Sequence, residues 1–74
     1  SNYYAYVTNH NNNTVSKCTV SAFDGQLSDC NPTGNDFDTP VGIALNNGYA
    51  YVTNYNTATV SQCVVNPSTG ELSD

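Results

Sequence analysis

The chain has 74 residues, six acidic side chains, one basic side chain (Lys17) and a net charge of −5. A single cation cannot neutralise a run of phosphates, so nucleic acid and anionic membrane surfaces are excluded as partners. No apolar run reaches the 18 residues of a spanning helix, and no signal peptide is visible. Solubility therefore rests on 12 Asn, 9 Thr and 7 Ser, a composition common in secreted and cell-surface proteins. A chain this short buries only about 60% of the surface it exposes when unfolded. It usually needs a disulfide, a metal or a partner to hold together.

In chain order, short strands alternate with turn chemistry, and no helical period occurs. Tyr3–Thr8 is rich in Tyr, Val and Thr and reads as a strand. Asn9–Asn13 follows as a turn, because Asn tolerates positive φ and bonds its own backbone. Thr14–Val20 is the next strand, and Asp24-Gly25 closes a hairpin into Gln26–Cys30. A polar loop, Asn31–Thr39, then leads to Pro40-Val41-Gly42-Ile43-Ala44-Leu45, apolar on both faces as in a strand buried from both sides. Asn46-Asn47-Gly48 turns into a strand at 49–54. A turn at Asn54–Ala58 leads to a strand at 58–65, and Ser68-Thr69-Gly70 turns into a last strand at 71–74.

The second half of this series repeats the first. Residues 1–29 return 45 positions later as 46–74 without a gap, and 17 of the 29 aligned positions are identical. A fixed period of this size marks a repeat architecture, whose units cannot bury their apolar faces alone. One period is four antiparallel strands A, B, C and D, which is the arithmetic of a propeller blade. The expected fold is thus all-β: an incomplete β-propeller of four-stranded antiparallel sheets, strands BCD followed by ABCD. Residues 1–30 would form a partial blade, 31–40 an inter-blade loop and 41–74 a second blade.

Tyr-Val-Thr-Asn at 6–9 and 51–54, followed by Asn-rich turns and Thr-Val-Ser at 14–16 and 59–61, resembles the YVTN-type β-propeller repeats. These occur in archaeal and bacterial surface proteins and are related to lactonase-like seven-bladed propellers. The run from Pro40 to Leu45 is similar to their inner strand. The resemblance covers nearly the whole chain and implies the repeat type; such propellers serve many functions.

Cys18 and Cys30 lie symmetrically about residue 24 and face each other across strands C and D, which suits a hairpin disulfide. A loop of this size stabilises a hairpin by roughly 3 kcal/mol when unstrained. Cys63 repeats Cys18, and its equivalent partner would be position 75, one residue past the last, which reads as an excerpt from a longer array. The competing readings are buried thiols, an intermolecular bridge and a metal site. A disulfide would place the chain in an oxidising setting: extracellular, at the cell surface or periplasmic.

Other candidates have bland counterparts. Asp36 and Asp38 could offer oxygens to a cation, against a solvated loop with Phe37 tucked between blades. His10 could serve as a base, but nothing at a recognisable spacing would work with it, and the second repeat has Tyr55 there. Tyr4 and Tyr6, like Tyr49 and Tyr51, share a strand face that could stack sugars or pack blade on blade. Asn12-Asn13-Thr14 is a glycosylation sequon on a turn. No catalytic residue, metal ligand set or cofactor is assigned. The expected function is a non-catalytic extracellular or cell-surface propeller segment acting as a structural or binding scaffold. A piece of a lactonase-like hydrolase and a subunit of a homo-oligomeric ring or filament are the alternatives. Its expected partners are further blades of the same protein or copies of itself, since a lone blade exposes two apolar faces.

Overall fold

The computed structural model describes residues 3–73. Seven strands follow in order: β1 (Tyr3–Asn9), β2 (Thr14–Val20), β3 (Leu27–Thr33), β4 (Pro40–Asn46), β5 (Tyr49–Asn54), β6 (Thr59–Val65) and β7 (Leu72–Ser73). The all-β expectation holds. The strands form two antiparallel sheets, sheet 1 in the order β1-β2-β3 and sheet 2 in the order β4-β5-β6-β7. The last position of the expected final strand, Asp74, and the first two of the chain lie outside the described residues.

The sequence repeat is a structural repeat, pair for pair. The β1–β2 register from Tyr4↔Thr19 to Asn9↔Thr14 reappears, displaced by 45, as Tyr49↔Val64 to Asn54↔Thr59 in β5–β6. The Thr19↔Ser28 and Val20↔Leu27 pairs likewise return as Val64↔Ser73 and Val65↔Leu72. Turn chemistry sets these registers. Asn47 and Gly48 both have positive φ between the paired Asn46 and Tyr49, the two-residue hairpin that an Asn-Gly dipeptide favours.

The turns 21–26 and 66–71 use different residues for the same bonds. Gly25 N donates to Ser21 O and Gly70 N to Asn66 O, at 3.0 and 2.8 Å. Side-chain oxygens of Ser21 and Asn66 accept from the backbone amides of Phe23 and Ser68. Positive φ recurs at Asn13 and Ala58, the last residues of the two β-strand-connecting turns. Asn accepts that conformation at little cost, whereas Ala does not.

Two expectations are corrected. β3 does not stop at Cys30 but runs to Thr33, because the register about residue 24 continues through Lys17↔Asn31, Ser16↔Pro32 and Val15↔Thr33. Pro32 is tolerated there because β3 is an edge strand whose missing N–H breaks no central ladder. The run 40–45 is also not buried from both sides. β4 is the edge of sheet 2, and Val41 and Leu45 are half exposed, since the single layer packed on sheet 2 leaves part of β4 uncovered.

Sheet 1 lies over sheet 2. Val15 of sheet 1 joins Ala50, Val52, Cys63 and Leu72 of sheet 2 in one buried cluster, with Tyr6, Ile43 and Val65 at its border. Phe37, from the segment joining the sheets, completes it and is 6% exposed. Gly34 makes the seat for Phe37: a Cβ on Gly34, whose φ is +72, would stand 3.0 Å from the Phe37 ring.

Phe37→Ala should remove about 3–5 kcal/mol of stability, a large share of the 5–15 kcal/mol typical of a domain, read as the shift of a urea titration. Ala58→Asn should do the opposite by relieving the left-handed penalty, adding about 0.5–1 kcal/mol and raising Tm by a few degrees in thermal circular dichroism.

Candidate functional site

The polar residues that both repeats share are engaged inside their own hairpins. Asn9 Nδ2 donates to Thr14 Oγ1 at 3.1 Å and to Ser16 Oγ at 2.9 Å. Asn54 Nδ2 repeats this with Thr59 Oγ1 and Ser61 Oγ, at 3.4 and 2.8 Å. The Asn of Tyr-Val-Thr-Asn thus grips the Thr and Ser of Thr-Val-Ser across the hairpin. Asn54 is 3% exposed and uses its other end too, its Oδ1 accepting from Asp38 N at 3.1 Å. This satisfies the buried amide and anchors the segment between the sheets.

The same segment is tied to sheet 1. Thr39 N donates to Asn13 Oδ1 at 2.8 Å. Asp36 is exposed at φ +65, and the Asp38 carboxylate accepts from Thr39 Oγ1. Among the described residues no group of three or more His, Cys, Asp or Glu is placed to hold a metal ion. His10 is exposed beside Asn11, and Asn12 is exposed on its turn, while the hydroxyl of Thr14 already accepts the Asn9 bond. Among the described residues no ligand-sized pocket is present.

Cys18 and Cys30 are joined by a disulfide. It spans a register shift in the β2–β3 ladder between Lys17 and Thr19, where Asp29 has φ +52. One extra residue on β3 at this point is a bulge, so the numbers pair symmetrically about residue 24 only from the disulfide outward. Cys63 lies 3% exposed in the core beneath sheet 1.

The densest polar chemistry is where sheet 1 meets the 66–71 turn of sheet 2. Tyr6 Oη donates to Gly70 O at 2.6 Å. Tyr4 covers Gly70 so closely that a Cβ there would sit 2.7 Å from its ring. Lys17 Nζ stands 4.7 Å above the Tyr4 ring, donates to Thr69 O at 2.5 Å and pairs with Glu71 at 3.0 Å. Thr33, 4% exposed, donates to Glu71 Oε1 at 2.6 Å and accepts from Leu72 N at 2.8 Å. The hydrogen bond from Thr33, then Lys17, holds the Glu71 carboxyl below its ordinary 4.5. Burial raises the Tyr6 phenol above its ordinary 10.0, although Lys17 pulls the other way.

Of the residues singled out from sequence, Tyr4 and Tyr6 pack sheet on sheet, and Phe37 is buried between the sheets. Tyr49 and Tyr51 instead face outward, their ring centroids 6.4 Å apart. Thr33, Lys17 and Glu71 escaped sequence reasoning. A signal for the last two was present: each is a charge where the other repeat has Gln, at positions 62 and 26.

No protein-family model, curated protein or solved structure matches the chain.

Lowered carboxyls stabilise the fold above their unfolded values and lose that contribution as pH falls through the folded ones. Glu71, and Asp24, which is lowered chiefly by the Gln26 amide and then by the Ser21 hydroxyl, therefore make stability fall as pH drops below their ordinary values of 4.5 and 3.8. Tm measured from pH 6 to pH 2.5 should drop across that window, and Glu71→Gln with Asp24→Asn should flatten the drop.

Proposed function

We propose that this chain is a segment of a non-catalytic β-propeller scaffold of the YVTN repeat type, extracellular or at the cell surface, whose partners are further repeats or copies of itself. One observation carries the reading. The polar residues common to both repeats, Asn9 with Thr14 and Ser16 and Asn54 with Thr59 and Ser61, bond one another within the hairpins. A motif that served chemistry would present such groups to a substrate; here they are engaged with one another across the hairpins. The packing of one repeat on the next across Val15 and Leu72 agrees with a blade-on-blade arrangement. The Cys18–Cys30 disulfide suits an oxidising compartment.

The test is turnover. The chain, offered five- and six-membered lactones, should release hydroxy acid no faster than the same chain after reduction and heat denaturation. Hydrolysis above that background, abolished by a point substitution, would replace the scaffold by a lactonase-like hydrolase.

A further inference from the structure

The contact between the sheets is heterologous: two different surfaces meet, and each repeat carries a version of both. The receiving face of sheet 1 is Tyr4, Tyr6, Val15 and Lys17, and the inserted element of sheet 2 is the stretch Thr69–Leu72. Displaced by 45, the receiving face recurs on sheet 2 as Tyr49, Tyr51, Val60 and Gln62. Displaced the other way, the inserted stretch recurs on sheet 1 as Asp24–Leu27. Burial separates the used copy of each surface from the unused one. Val15 is 0% exposed and Val60 63%; Leu72 is 5% exposed and Leu27 52%. Gly70 is pressed under Tyr4, whereas nothing lies within 4 Å of a Cβ at Gly25.

We infer that the open face Tyr49–Tyr51–Val60–Gln62 is the docking surface for the Asp24–Leu27 turn of a second copy of this chain, added head to tail. The inference rests on the repeat-scaffold reading and names its occupant from the internal interface. The two open surfaces correspond, residue for residue, to the two that meet in the internal contact. Where the internal contact pairs Lys17 with Glu71, the open ones carry Gln62 and Gln26, two amides able to hydrogen-bond each other without charge. A docked copy would repeat the Tyr6 bond as Tyr51 Oη donating to Gly25 O, and bury Leu27 against Val60 as Leu72 is buried with Val15. Because the two surfaces differ, each added copy leaves one of each open, so association continues until a ring closes or a filament grows.

Blocking the surfaces separately tests this. Val60→Glu removes the receiving face and Leu27→Glu the inserted turn; both sites are solvent-exposed, and circular dichroism checks that both variants fold. In sedimentation velocity the unaltered chain should self-associate with rising concentration, and each variant alone should remain a monomer. An equimolar mixture should sediment at twice the mass of one chain, since one intact surface of each kind is left. A symmetric dimer gives no such rescue. A mixture that stays monomeric, or variants that associate as the unaltered chain does, would overturn the inference. Gln62→Lys with Gln26→Glu in one chain, copying the internal ion pair, should make self-association tighter at low salt than at 0.5 M; no salt dependence would count against the stated register. A failure here is distinguishable from a failure of the scaffold reading, whose lactone test does not depend on oligomeric state and whose repeat register would be read from cross-strand nuclear Overhauser effects between Tyr4 and Thr19 and between Tyr49 and Val64.

Discussion

The structure depends on one contact, the seating of the 66–72 turn of sheet 2 under Tyr4, Tyr6 and Val15 of sheet 1. Neither sheet has a second apolar layer of its own, and small antiparallel sheets are marginal unless one face is covered. The contact supplies that cover with Val15, Val52, Cys63 and Leu72, and closes its rim with the Tyr6–Gly70, Lys17–Thr69 and Thr33–Glu71 bonds. Gly70 suits that place for a steric reason, since a Cβ would stand 2.7 Å from the Tyr4 ring and force it to shift. The apolar centre provides the driving force and the polar rim fixes which register is adopted.

The segment 34–39 is the second element that makes two hairpins into one body. Phe37 fills the gap between the sheets, Gly34 turns without a side chain beneath it, and Asn54 and Asn13 each hold the backbone through a side-chain oxygen. A loop that is polar by composition is thus fixed in place by one aromatic side chain and two amides. Asp36 and Asp38 belong to this connector, Asp36 exposed and Asp38 accepting from Thr39 Oγ1.

Much of the hairpin architecture was legible because its causes are local. Asn47-Gly48 demands a two-residue turn, the β-branched runs alternate, and the symmetric placement of Cys18 and Cys30 about residue 24 marks facing positions. The same symmetry carried further would have extended β3 to Thr33; the Asn-Pro-Thr composition hid it, because proline is read as a breaker unless the strand is known to be an edge. The bulge at Asp29 was not legible, since no Gly or Pro at 27–30 marks it and the shift appears only in the pairing of β2 with β3. The rim of the interface was only half legible: Lys17 and Glu71 stand out as differences between the repeats, yet their pairing spans 54 positions in sequence.

By itself the sequence determined the repeat, the all-β class and the hairpin turns, and marked Cys18 and Cys30 as facing positions, since turn geometry and side-chain alternation act over a few residues. Only the tertiary structure decided which copy of each repeated surface is used. Val15 and Val60 sit in the same Thr-Val-Ser triplet, on the same strand face and at the same point in the register, yet one is buried and the other is not. Local chemistry makes these residues apolar and aims them to one side. What lies across from them is a property of the assembled sheets, and that alone sets whether the apolar surface is withdrawn from water.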